Sequence, residues 1–272
     1  MNRRGFLGAF GGLALCPLCA RPSLAAAPGA LDWAWSGDKG PDHWGNLPNF
    51  GTCATGNQQS PINLAGAIRS ELPPLDIAWK RVKAEIVNPG YTIRVNMPAG
   101  CRLGVGPLQY EMVEFHFHAP SEHAVRGKRQ AMEVHFVHKR GAAGNFGADP
   151  VEGANDWEAE PGVAASAFGV IGVLIKPGAA NATFAEIARL MPQAVGGQAA
   201  ITLAPAGLLP LSRHYFYYEG SLTTPGCSEV VSWRVMRDPI TAAPADIARF
   251  TALYPQSARP LQPLNRRLLL EG

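Results

Sequence analysis

Glu114-Phe115-His116-Phe117-His118, with its echo in Glu133-Val134-His135-Phe136-Val137, decides how this sequence is read. Successive side chains of a strand point to opposite faces, so the first stretch carries Glu114, His116 and His118 on one side and Phe115 and Phe117 on the other. The second carries Glu133, His135 and Val137 together. If the two stretches pair through the loop between them, three imidazoles converge. Three neutral nitrogens leave a bound zinc ion its full charge and an open fourth position for water, the arrangement of catalytic rather than structural sites. The acidic neighbours fit, because a ligand histidine commonly donates its second N–H to a carboxylate or carbonyl. Glu133 reaches His135 less directly, as an adjacent side chain on the same face.

Outward from this pair, short β-branched and aromatic runs recur between Gly and Pro punctuation: Glu85 to Asn88, Tyr91 to Met97, Met112 to Ala119, Ala131 to Lys139, Phe168 to Lys176 and Glu229 to Met236. These predict strands. Phe184, Ile187, Ala188 and Met191 after Asn181, and Ile247, Phe250 and Leu253 after Pro244, repeat at helical spacing and predict two helices packed outside a sheet. Gly141 to Gly162, rich in Gly, Ala and acids without a period, predicts a long surface loop. No internal repeat or linker divides the body, and 47% hydrophobic residues suffice for one β-rich core.

The chain has 24 Lys and Arg against 21 Asp and Glu, for a net charge of +3. Arg3, Arg4 and Arg21 account for that excess within the first 25 residues, which hold no acid. A neutral body argues against binding nucleic acid or an anionic membrane surface, which needs concentrated Lys and Arg. A small or uncharged partner is expected. Paired Arg3-Arg4, an apolar run from Phe6 to about Ala20 and the small residues Ala25-Ala26-Ala27 resemble a twin-arginine export signal over residues 1–25. The run falls short of the ~20 residues that span a bilayer, so the reading is a periplasmic or secreted protein without a stable membrane anchor. Cys16 and Cys19 lie inside this signal, which removes their CxxC spacing from consideration as a redox site. Cys53, Cys101 and Cys227 remain, an odd number that suggests one disulfide and one buried thiol in an oxidising compartment.

His116-x-His118-x-x-x-Glu122 followed by His135 also matches the metal motif of cupins. The glycines of that motif are missing, however: Tyr110 and Arg129 stand in their places, and no Pro-x-Gly precedes the later His.

From Trp33 to about Arg267 the chain instead resembles an α-class carbonic anhydrase. The resemblance rests on Gly40-Pro41-Asp42-His43-Trp44, Gln59-Ser60-Pro61-Ile62-Asn63, Phe115-His116-Phe117-His118 with Ser121-Glu122-His123, Glu133-Val134-His135-Phe136-Val137-His138, and Ser221-Leu222-Thr223-Thr224-Pro225. It implies a β-rich α+β fold over residues 30–269, a single domain around a large, mostly antiparallel, twisted sheet with short peripheral helices. It also implies Zn2+ held by His116, His118 and His135, and reversible hydration of CO2 to bicarbonate and a proton by attack of zinc-bound hydroxide. Thr223 falls where the family's hydroxide-orienting threonine stands, and Glu122 where its buried carboxylate partner stands. Thr224 matches the residue that helps place bicarbonate, and Val137, Val170, Leu222, Val231 and Trp233 match the apolar wall around CO2. As in bacterial relatives, Cys53 is expected to pair with Cys227, leaving Cys101 free. A homodimer stays open.

The chain also departs from the pattern. Tyr91 occupies the position that often carries a proton-shuttling His, and an ordinary phenol pKa near 10 suits transfer at neutral pH poorly. Asn88 is left as a water organiser. Trp35 stands where a Tyr is common, Arg94 where a polar amide is common, and Glu114 where a Gln usually supports the first ligand; Arg94 is a candidate partner of Glu114. His123 and His138 are expected to be structural, His43 and His214 to lie on the surface. A non-catalytic carbonic-anhydrase-related binding module is the alternative, and the survival of all three ligand histidines with Thr223 and Glu122 argues against it.

Overall fold

The two histidine-bearing stretches are adjacent central strands of a thirteen-stranded sheet. The structure, a computed structural model, describes residues 32–141 and 167–272. The signal-like residues 1–25, the Cys16/Cys19 pair and nearly all of the predicted loop from Gly141 to Gly162 lie outside the described residues. The strands that matter to the site are β1 (Val82–Val87), β2 (Arg94–Asn96), β3 (Leu108–His118), β4 (Met132–Arg140), β5 (Phe168–Pro177), β6 (Gln198–Leu203), β7 (Tyr215–Gly220) and β8 (Val231–Met236). Across the sheet they run β6-β1-β2-β3-β4-β5-β8-β7, followed by the short strands Leu270–Glu271 and Ile68–Arg69. Pairing is antiparallel except where β5 meets β8 and Ile240–Ala242, and where the last two short strands meet. The sheet is therefore mixed, with the antiparallel majority that was expected.

Alternation along β3 and β4 divides two cores. Phe115, Phe117 and Phe136 face the larger one with Ile171 and Val173, where each fully buried side chain contributes about 1.5–3 kcal/mol. Helices α1 (Ala182–Leu190) and α2 (Pro244–Leu253) cover this face, as their spacing predicted. Phe117 packs on Phe184 of α1 and Phe250 of α2. Asn181 caps α1 by accepting from the Phe184 N–H at 3.0 Å, and Pro244 opens α2, where a missing N–H goes unused. The opposite face carries the histidines beside a second apolar cluster with Val137, Val170, Val231 and Trp233.

Several predicted bounds shift. Of Tyr91 to Met97 only Arg94–Asn96 is strand; the turn before it is set by the Asn88 side chain, whose oxygen accepts from the Gly90 N–H. A register shift between Val137 and His138 leaves Val113 without a partner on β4. This bulge lets Glu114 and Val137 stay on the histidine face while Met112 and His138 are paired beyond it. Cys53 and Cys227 form a disulfide, and among the described residues Cys101 is the buried free thiol.

Candidate metal centre

Strand register assembles the three imidazoles. In the antiparallel pair β3–β4, His116 lies opposite His135 and His118 opposite Glu133. One nitrogen from each of His116, His118 and His135 lies within 4.8 Å of the others. The remaining nitrogens are held from outside. His116 Nδ1 is 2.9 Å from both carboxylate oxygens of Glu114. His118 Nδ1 donates to the Ser257 carbonyl, and that segment is itself tied down, its Oγ accepting from the Ala119 N–H at 3.0 Å. His135 Nε2 makes a bent 3.0 Å contact with Glu133 Oε1. These partners fix the ring orientations and turn His116 Nε2, His118 Nε2 and His135 Nδ1 toward one another.

The donor set fits a metal ion. His118 Nε2 is buried and has no hydrogen-bond partner in the protein, a state that costs about 1–3 kcal/mol unless a ligand removes it. Burial holds His118 well below the usual histidine range and pushes His135 down to about 4. Both are neutral bases at pH 7, the form that binds metal.

Glu122 sits behind the triad, fully buried. Its Oε2 is 3.6 Å from His118 Nε2 and 3.9 Å from His135 Nδ1, and its Oε1 accepts from the Arg259 N–H at 2.8 Å. Without a cation's charge beside it, burial pushes the carboxyl up to about 8, against the lowering effect of the Thr223 hydroxyl and the Arg259 N–H. Thr223 is positioned by a clamp that the early motif supplies: Ser60 N–H donates to Ser221 Oγ at 2.9 Å, and Ser221 N–H donates to Ser60 Oγ at 3.0 Å. Gln59 reaches the Cys227 carbonyl at 3.0 Å, and the disulfide fastens the far side of the same loop.

A second group shares His135. Burial alone would raise the Glu133 carboxyl, but His123 and His135 bring it well below the carboxylate range through charge and hydrogen bonding. It accepts from His123 N–H and contacts His123 Nδ1, each at 2.8 Å, while His123 Nε2 meets the Tyr218 hydroxyl at 2.7 Å.

A cleft of about 50 Å³ opens onto His116, lined by Tyr91, Arg94, Glu114, Val137, Leu222 and Thr224 among others. Val170, Val231 and Trp233 stand behind Val137 in one apolar cluster, with Leu222 packed against it. Trp233 meets the His135 ring at 4.8 Å. Burial pushes the Tyr91 phenol up to about 12. Its carbonyl accepts from Trp35 Nε1 at 2.9 Å.

Two expectations are corrected. Asn88 does not organise water at the site: it is buried, its Nδ2 donating to the Pro192 carbonyl and its Oδ1 accepting from Gly90 and the Tyr254 hydroxyl. Glu114 does not pair with Arg94, since both its oxygens face His116. His43 and His214 are exposed, and His138 is buried behind the bulge, as expected. Ser257, Arg259 and Tyr218 went unnoticed in the sequence. Arg259 joins several parts of the site, donating to Gln59 Oε1 at 2.8 Å and to the Ser60 and Cys53 carbonyls at 2.9 and 3.1 Å.

Comparison with known proteins agrees with this fold. Residues 39–271 match the family model of eukaryotic-type carbonic anhydrases. A carbonic anhydrase of Pectobacterium carotovorum is 36% identical over 251 residues, covering 90% of this chain and 93% of that protein. The α-carbonic anhydrase of Thermovibrio ammonificans, solved with the inhibitor sulfanilamide, superposes with a TM-score of 0.77 at 35% identity, covering 89% of this chain and 100% of that one. That of Photobacterium profundum gives 0.75 at 35% identity, covering 88% and 100%. The chain belongs to the eukaryotic-type, or α, carbonic anhydrase family.

Proposed function

We propose that this protein is a zinc-dependent lyase that reversibly hydrates CO2 to bicarbonate and a proton. The observation that carries the reading is the meeting of one nitrogen each from His116, His118 and His135, with a ring nitrogen of His118 left partnerless inside the protein. Zinc held by these three residues would acidify a coordinated water enough to supply hydroxide near neutral pH, a behaviour for which carbonic anhydrases are themselves the standard example.

The protein's part is orientation. The Thr223 hydroxyl donates to ionised Glu122, so its oxygen is free only to accept a proton from the nucleophile. A nucleophile held this way points a lone pair at CO2, and an anion with no proton to offer is disfavoured. The N–H of Arg259 opposes the rise that burial imposes on the Glu122 carboxyl, and the charge of a bound zinc would complete its ionisation. Thr224 helps place bicarbonate, and Val137, Val170, Leu222, Val231 and Trp233 form an apolar wall suited to weakly hydrated CO2. Tyr91 stays protonated at neutral pH, so proton export relies on water and external buffer.

Residues 30–269 form the catalytic domain in this reading, and residues 1–25 direct export to the periplasm or beyond. The Cys53–Cys227 disulfide suits such an oxidising compartment. Zinc analysis with stopped-flow CO2 hydration, before and after chelation, tests the proposal. One zinc per chain and hydration that disappears and returns with it are expected; undiminished hydration in zinc-free protein overturns it.

A further inference from the structure

We infer that Arg94 recognises bicarbonate at the mouth of the cleft, an inference that rests on the CO2 hydration proposed above. Arg94 opens β2 and is the register partner of His116. Its side chain lines the cleft with Glu114, His116, Leu222 and Thr224. The carboxylate at hand in that cleft is Glu114, and both Glu114 oxygens are committed to His116 Nδ1 at 2.9 Å. Arg94 forms no ion pair among the described residues. Its side-chain partner is the neutral Tyr91 hydroxyl, and its Nε is buried with no hydrogen-bond partner.

A buried guanidinium N–H without a partner is costly, and the planar fork of a guanidinium matches a planar oxyanion through two parallel hydrogen bonds. The two carbon species of the reaction differ in this respect. CO2 is neutral and gains little from Arg94, whereas bicarbonate is planar and carries one negative charge. Arg94 therefore acts on the product side of hydration. The ratio of kcat/KM for hydration and dehydration is fixed by the overall equilibrium, so Arg94 cannot favour one direction in that ratio. What it changes is how long bicarbonate stays: it lowers KM for bicarbonate in dehydration and strengthens product inhibition in hydration.

The test compares zinc-loaded wild-type, Arg94→Gln and Arg94→Lys proteins at low ionic strength, measuring inhibition of CO2 hydration by added bicarbonate. Arg94→Gln should raise the bicarbonate inhibition constant about three- to tenfold while KM for CO2 stays within experimental error, and Lys should restore part of the loss. A second readout needs no turnover: nitrate, a planar monoanion, should raise the thermal midpoint of wild type more than that of Arg94→Gln. An unchanged bicarbonate constant with an equal nitrate response overturns the inference, as does a KM for CO2 that rises by the same factor. If wild type fails to hydrate CO2, the proposed activity falls, and the nitrate comparison still decides whether Arg94 binds an anion.

Discussion

Two buried polar groups share His135, and each gathers residues that could ligate a metal: His116, His118 and His135 on one side, His123, Glu133 and His135 on the other. They differ in what is left over. Both ring nitrogens of His123 are engaged, one by Glu133 and one by the Tyr218 hydroxyl, whereas His118 Nε2 is buried with no partner at all. A cluster whose hydrogen bonds close on themselves is part of the framework, and one that ends in unshared lone pairs is built for something to be added. Residue type alone does not separate the two.

The sharpest way to break this contrast is to delete one histidine from each group. His118→Ala should remove stoichiometric zinc, with an affinity loss of more than about 100-fold, and abolish hydration; metal analysis and CO2-hydration kinetics check both. Full activity in a zinc-free His118→Ala protein would sink the assignment. Thr223→Ala leaves the ligands intact and should keep zinc while turnover falls on the order of 100-fold, because an orienting group is lost and not the metal. An unchanged turnover would misplace the hydroxyl.

His123→Ala belongs to the framework side. It should leave zinc near one per chain but lower stability by about 3 kcal/mol, since charged Glu133 stays buried and keeps the His123 N–H and His135 but loses the His123 ring. Urea unfolding of the zinc-loaded protein measures this, and metal loss equal to that of His118→Ala would erase the distinction. His138 adds a pH handle. Burial lowers it from an ordinary 6.5 to about 4, so between those values the unfolded chain takes up a proton that the folded one refuses. Its contribution is fully present above pH 6.5 and is lost as pH falls toward 4, about 3 kcal/mol in all. His138→Asn, which can keep a donor toward the Gly169 carbonyl, should flatten that part of the stability profile; unfolding midpoints at pH 7, 5.5 and 4 decide it.

The smallest effect is expected at the cleft mouth. Tyr91→His places a group that titrates near neutrality where a phenol near 12 now stands, and should reduce the dependence of turnover on imidazole buffer by a few-fold. Wild-type turnover that ignores buffer concentration over a wide range would reveal another internal proton route, with His43 the first residue to replace.

Much of the site was legible because it lies on strands. Alternation put His116, His118 and Glu114 on one face before any pairing was known, and the β3–β4 register then met the expectation. Legibility ends where partners come from afar. Nothing near Ser257 announces that its carbonyl holds His118, and Arg259 gives no local sign that its side chain joins Gln59 to the Cys53 carbonyl. β6 was missed because Gln198-Ala199-Ala200 has little strand preference of its own; pairing along β1 makes it a strand. Asn88 was misread for a related reason, since an amide in a turn looks available to water until helix α2 brings Tyr254 against it.

The disulfide closes a separation of 174 residues, while the three proposed metal ligands lie on one local pair of strands. Short loops close at lower entropic cost than long ones. The proposed ligands are neighbours in sequence, while the carbonyl that orients the His118 ring comes from Ser257, near the other end of the chain. The loop that carries Thr223 is fastened instead by a bond joining the first part of the chain to its last quarter. An oxidant is therefore needed to fasten the loop of Thr223, whereas the register that sets His116 opposite His135 rests on backbone hydrogen bonds alone.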